Sequence, residues 1–212
     1  MEIIKNKALL LKLRHPQQVT TVIPKSKEVN GKVLVRWGVD ETHVLRNLNI
    51  NAPSPINGRY DWPGQHTPFK HQKSTSAFLT MNRRAFCFNE QGTGKTASAI
   101  WASDFLIKQG AIKRVLVICP LSIMDSAWRS DLFSFAMHRS VDIAYGAPDK
   151  RRKIINSGAE YVIINYDGVA IVADAIINGG FDLIIVDEAT HYKNVQTTRW
   201  KTLKQILEPH MW

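Results

Sequence analysis

Asn89-Glu90-Gln91-Gly92-Thr93-Gly94-Lys95-Thr96 is the stretch of this 212-residue chain on which the fold turns. It lies between an apolar run, Ala85 to Phe88, and a helix-length segment, Thr96 to Gln109. A strand feeding a glycine turn that opens a helix is the setting in which backbone N–H groups and a helix N-terminus cradle phosphate. Gly92 and Gly94 let the backbone wrap the anion, and Gln91, Gly92, Thr93, Gly94, Lys95 and Thr96 together form the expected nucleotide-binding loop. Lys95 is placed to reach the outer phosphates as a point charge, and the Thr96 hydroxyl to ligate Mg²⁺. Asn89 stands where the pattern usually has its first glycine.

A second strand end completes the pair. Leu183-Ile184-Ile185-Val186 runs into Asp187-Glu188. Two carboxylates are costly inside a buried strand, but at its carboxyl end both can face a metal and a water. Asp187 is expected to hold the Mg²⁺ that Thr96 also touches, and Glu188 to orient the attacking water.

Outward from these loops, short apolar runs recur at Val115–Cys119, Val141–Tyr145 and Tyr161–Asn165, separated by helix-length segments such as Ile123–Ala136. Near-continuous apolar strands alternating with helices predict an α/β domain, a parallel sheet covered by helices on both faces, over residues 66–212. Residues 1–65 read differently. Candidate strands Ala8–Leu13, Val19–Ile23 and Lys32–Trp37, a hairpin signal at Asn30-Gly31 and a Pro- and Gly-rich loop from Asn51 to Gly64 predict a small β-rich N-terminal appendage and linker.

Composition narrows the partners. Twenty-eight Lys and Arg against eighteen Asp and Glu leave a net charge of +10, which favours a polyanion. Residues 1–65 carry ten basic and five acidic side chains, a denser positive field than the rest. No apolar run reaches the ~18 residues of a membrane span, and the first residues lack the apolar core of a signal peptide. Cys87 and Cys119, both in apolar runs, predict buried thiols rather than a disulfide framework. The seven histidines show no metal-ligand spacing. The basic run Lys150–Lys153 predicts a solvated helix face.

Five strings in order resemble the motifs of Swi/Snf-type superfamily two helicase-like ATPases. They are Pro68-Phe69-Lys70-His71-Gln72, Glu90 to Thr96, Val117 to Ser122 with Trp128 downstream, Tyr161 to Tyr166, and Asp187-Glu188-Ala189-Thr190-His191-Tyr192-Lys193-Asn194. The resemblance implies the first RecA-like lobe of an ATP-dependent DNA translocase, with ATP and Mg²⁺ as cofactors and catalysis resting on Lys95, Asp187 and Glu188. It implies that Gln72 reads adenine and that Pro120, Leu121, Ser122, Asn165 and Tyr166 meet the DNA backbone without sequence preference. Phe69 or Tyr60 could stack on the base, although an aromatic beside a Pro-rich loop more often serves packing. Ser122 equally suits a helix N-cap. Thr190 stands where the family has histidine, with His191 displaced by one. The family's Thr-Gly-Thr-Pro-like motif and arginine finger have no counterpart before Trp212, so a second helicase lobe in a longer parent chain is an expected partner. A nucleotide-binding module without turnover, the motor of a restriction system and an RNA helicase are the competing readings. A cytoplasmic setting is expected for a bacterial or phage-infected cell, a nuclear one for a eukaryote.

Overall fold

A computed structural model of the protein describes residues 1–207; the last five residues of the expected lobe, 208–212, lie outside them. Two sheets form. The first is antiparallel, in the order β1-β2-β4-β3, from β1 (Glu2–Ile4), β2 (Ala8–Leu11), β3 (Lys27–Val29) and β4 (Lys32–Arg36). Asn30 and Gly31, both at positive φ, close the β3–β4 hairpin, as the Asn-Gly signal predicts. A single turn α1 (Gln17–Thr20) and helix α2 (Val39–Asn47) also lie in this region. Leu9, Leu11, Val33 and Val35 pack with Val19, Ile23, Leu45 and Ala52 into a separate core. The expected strand Val19–Ile23 is instead the turn α1 and its exit. Val19 and Ile23, four residues apart, are both buried, which is helical spacing and not strand alternation.

After a turn α3 (Ile56–Arg59) and helices α4 (Lys70–Thr80) and α5 (Lys95–Lys108), the second sheet begins. It comprises β5 (Val115–Cys119), β6 (Val141–Ala144), β7 (Tyr161–Asn165) and β8 (Leu183–Val186), all parallel, in the order β6-β7-β5-β8. Val115, Val117, Cys119, Tyr161 and Ile163 face one layer with Ile100, Trp101 and Phe105 of α5, joined by Trp128 and by Leu132 of α6 (Ser130–Phe135). Leu116, Ile118, Val162 and Ile164 face the other, filled from α7 (Pro148–Ile155), α8 (Tyr166–Ile171), α9 (Ala173–Ile177) and α10 (Thr198–Leu207). Both faces are covered, which is why β5 and the first four residues of β7 are apolar at every position.

A second predicted strand is also absent. Ala85–Phe88 pairs with no strand among the described residues. Phe86 and Phe88 are 73% and 88% exposed, with rings 5.8 Å apart, and Cys87 is half-buried rather than buried. An extended run becomes a strand only when another backbone accepts its hydrogen bonds. The free edge of β8 is correspondingly less covered: all four of its residues are half-buried.

Candidate functional site

Parallel strands put their carboxyl ends on one edge, and the register fixes what meets there. Ile118 lies opposite both Ile164 and Val186, and Cys119 opposite Asn165. The loops after β5, β7 and β8 therefore emerge side by side, carrying Pro120–Ser122, Asn165–Tyr166 and Asp187–Glu188. Helix α5 runs the opposite way. A short connection, 109–114, leads from its end to the start of β5, and Ser103 hydrogen-bonds the Tyr161 hydroxyl at the start of β7 (2.8 Å). From Ser103 back to Lys95 is about 12 Å at 1.5 Å per residue. That matches the length of β7 and brings the glycine loop to the same edge.

The loop is held closed by its own atoms. Lys95 Nζ donates to the carbonyls of Asn89 (2.9 Å) and Glu90 (3.0 Å), and Thr93 Oγ1 donates to Glu90 O (2.7 Å). An ammonium satisfied by two backbone oxygens can exchange them for phosphate oxygens. Gly94, at φ 74°, starts α5, and a Cβ there would lie 2.1 Å from Gln72 Nε2. Gln72 thus packs on the loop, and its Oε1 accepts the Phe69 N–H at 2.9 Å. His71 Nε2 lies 3.0 Å from Thr93 O. An open cleft beside the loop is lined by Lys70, His71, Ser74, Thr75, Asn89, Glu90 and Thr93. Phe69, 68% exposed, stacks near His71. Tyr60 is not available to a ligand: it is buried, with its hydroxyl donating to Asp104.

At β8 the backbone of Asp187 continues the sheet, its N–H donating to Ile118 O at 2.9 Å. Its Oδ1 accepts the Glu188 N–H (2.9 Å), and its Oδ2 the indole N–H of buried Trp128 (2.9 Å). The Tyr166 hydroxyl donates to Asp187 O. Burial first, then the nearby Asp187 and Glu188 charges, push the Tyr166 pKa up, so the phenol stays protonated and remains a donor. The same two causes, burial and then Asp187, push the Cys119 thiol up to about 12. Glu188 is exposed and in the left-handed region (φ 51°, ψ 54°), a conformation that costs free energy and clusters at functional sites. His191 reaches back toward it, Nε2 to Glu188 Oε2 at 3.7 Å, with its ring 4.7 Å from that of Tyr166. The one-residue displacement of this histidine still leaves it beside Glu188.

Two residues expected to contact DNA lie inside the protein. Asn165 and Tyr166 are buried, and the Asn165 amide oxygen and the Tyr166 hydroxyl are engaged within the protein. Asn165 Oδ1 accepts from Arg151 Nη1 (2.9 Å), which also donates to Ala144 O. Arg151 itself is buried, unlike the solvated face expected of its basic run. Leu121 and Ser122 are exposed and Pro120 half-buried. Ser122 lies inside a short turn, Leu121–Ile123, whose N-cap is Pro120, and its carbonyl accepts from Ser126 Oγ. Sequence reasoning missed the tie from Trp128 to Asp187, although an indole is a donor only and, once buried, needs an acceptor.

Comparison with known proteins agrees with this architecture. The model of the SNF2-related domain family matches residues 71–212. The chain is 26% identical over 133 residues to the p41 protein of Acyrthosiphon pisum secondary endosymbiont phage 1, covering 60% of this chain and 29% of that protein. It is 23% identical over 149 residues to the uncharacterized ATP-dependent helicase YqhH of Bacillus subtilis, covering 68% and 25%. The Sulfolobus solfataricus SWI2/SNF2 ATPase core in complex with dsDNA superposes with a TM-score of 0.60 at 24% identity, over 68% of this chain and 31% of that one. The larger sheet is thus RecA-like, and the chain spans less than a third of each of these proteins.

Proposed function

The chain belongs to the SNF2-related domain family, and from that premise we propose that it is the nucleotide-binding part of an ATP-dependent DNA translocase or helicase-like enzyme. The observation carrying this is the convergence on one sheet edge of a glycine loop opening α5 and the Asp187–Glu188 loop after β8. In this reading Lys95 and the N–H groups of Gln91 to Thr96 receive the phosphates, and Gln72 with the cleft beside it receives the base. Among the described residues no cluster of three or more His, Cys, Asp or Glu side chains could hold a metal. The donors available, the Thr96 hydroxyl and one Asp187 carboxylate, nevertheless suit Mg²⁺, which takes one or two protein ligands and completes its shell with phosphate and water. When bound, it would neutralise charge between the outer phosphates. Glu188 would orient the attacking water.

We further propose that DNA meets the exposed Leu121–Ser122 turn through its phosphates, while Asn165 and Tyr166 act from inside by holding the two loops. Full turnover would draw on a second lobe, since charge supplied to the γ-phosphate by an arginine is worth about 10³–10⁵ in rate. The test is ATP turnover with and without duplex DNA, for this chain joined to a second lobe, with Glu188→Gln as control. DNA-stimulated hydrolysis abolished by Glu188→Gln supports the proposal. Turnover unaffected by both DNA and the substitution contradicts it. RNA stimulating more than DNA would favour the RNA helicase reading.

A further inference from the structure

Asp187 is only half-buried, so water could satisfy its carboxylate. Instead a buried indole is brought to it. Trp128 is 2% exposed and packs in the core beneath α5, while its Nε1–H reaches Asp187 Oδ2, 59 residues away in sequence, at 2.9 Å. The segment delivering it, Met124–Arg129, is a π-helix, with Ser130 N–H bonded to Asp125 O five residues back. Such single turns carry an extra residue per turn, are rare, and are frequent at functional sites. Met124 and Trp128 point inward from it; Asp125, Ser126 and Arg129 point to solvent.

The other atoms of Asp187 are held as firmly. Its second oxygen accepts the Glu188 N–H, its own N–H donates to Ile118 O, and its carbonyl accepts the Tyr166 hydroxyl. With both oxygens engaged from fixed directions, the carboxylate has one orientation, and each oxygen keeps a lone pair for a further partner. Fixing a ligand's rotamer from outside its coordination shell typically changes metal affinity 10–100-fold.

We propose that Trp128 is a positioning residue: its indole N–H fixes the Asp187 carboxylate in the orientation that receives magnesium-bound nucleotide. This rests on the nucleotide-binding reading given above. It predicts a defect confined to the metal-dependent part of binding, because Trp128 touches neither the glycine loop nor the base cleft in any hydrogen bond. Phenylalanine at this position keeps most of the ring and removes the donor.

The experiment is equilibrium binding of ATP across a magnesium titration and in chelator, for the parent, Trp128→Phe, Asp187→Asn and the double variant. For Trp128→Phe the magnesium concentration at half-saturation is expected to rise about tenfold or more, with metal-free ATP affinity unchanged. Adding Trp128→Phe to Asp187→Asn is expected to change nothing further, the signature of action through Asp187. A half-saturation within about twofold of the parent, or the same shift in both backgrounds, overturns the proposal while leaving the site reading intact. A parent that binds no ATP overturns the site reading, and this proposal with it. If Trp128→Phe does not fold, the assigned Trp128 indole N–H resonance of the parent decides. With ATP present, it moves on magnesium addition and stops moving in Asp187→Asn; a resonance that never moves refutes the proposal.

Discussion

Replacing Arg139 with methionine breaks the buried charge network that anchors α5, the helix whose start is the glycine loop. Asp104 on α5 is fully buried. Its Oδ1 accepts from Arg139 Nε (2.6 Å) and lies 2.9 Å from His138 Nε2, and its Oδ2 accepts the Tyr60 hydroxyl (2.5 Å). Arg139 continues through Nη1 to Glu160 Oε1 (2.6 Å), tying α5 to the segment entering β7. Burial works against the Arg139 charge, but the hydrogen bonds and charges of Asp104 and Glu160 outweigh it and raise its pKa. Removing one partner of a buried pair costs about 3–5 kcal/mol. Asp104 keeps Tyr60 and His138 as partners, so the lower end applies, about 3 kcal/mol. For a domain of this size that lowers Tm by about 6–12 °C. Arg139→Lys restores the charge but lacks the fork that spans two carboxylates, so it should fall between the two. Thermal and urea melts at neutral pH measure both variants. A Tm for Arg139→Met within about 2 °C of the parent would refute the claim that this network carries the helix.

Other outcomes follow from the same contacts. Burial raises the pKa of the Cys119 thiol to about 12 and those of the Tyr60, Tyr161 and Tyr166 phenols above their ordinary values. The folded protein therefore holds these protons more tightly than the unfolded chain. Stability should be full below the ordinary thiol value of 9.0 and fall as pH rises toward about 12; a urea midpoint unchanged between about pH 8 and about pH 10.5 would contradict this. A thiol reagent should modify half-buried Cys87 in the native protein and Cys119 only on unfolding, which mass spectrometry of the labelled protein reads directly. Deleting residues 1–65 removes Ile56 and Tyr60 from the core they share with α5, together with the Pro63 carbonyl that accepts the Trp101 indole N–H (2.9 Å). Deleting residues 1–53 keeps all three. The longer deletion should melt well below the shorter one, and equal melting would show that the linker adds nothing to the lobe.

What could be read from the sequence was what local pattern and burial dictate together. β5, β7 and β8 lie where their apolar runs predict, because strands covered on both faces leave an unambiguous signature. The Asn30-Gly31 hairpin and the start of α5 were legible for the same reason: left-handed backbone needs those residues. The rest turns on packing and partners that local composition does not reveal. Ala85–Phe88 has strand composition, but composition does not supply a neighbouring strand. Val19–Ile23 is β-branched, yet burial of two residues four apart made it helical. Asn165 and Tyr166 look like surface polar residues after a strand. Arg151, 14 residues away, and Asp187, 21 residues away, draw them inside. The tie from Trp128 to Asp187 spans 59 residues and rests on a π-turn with no distinctive local sequence.

The most direct test of the central claim is equilibrium binding of ATP, with magnesium, to the parent and to Lys95→Ala, with circular dichroism confirming that both are folded. Among the described residues the Lys95 ammonium hydrogen-bonds the loop's own carbonyls of Asn89 and Glu90, so its removal should leave the fold in place and remove the charge proposed to meet the phosphates. Saturable binding at a single site is expected in the parent, and its loss in Lys95→Ala. A folded parent that binds no ATP, or a folded Lys95→Ala that binds it with the parent's affinity, would contradict the account.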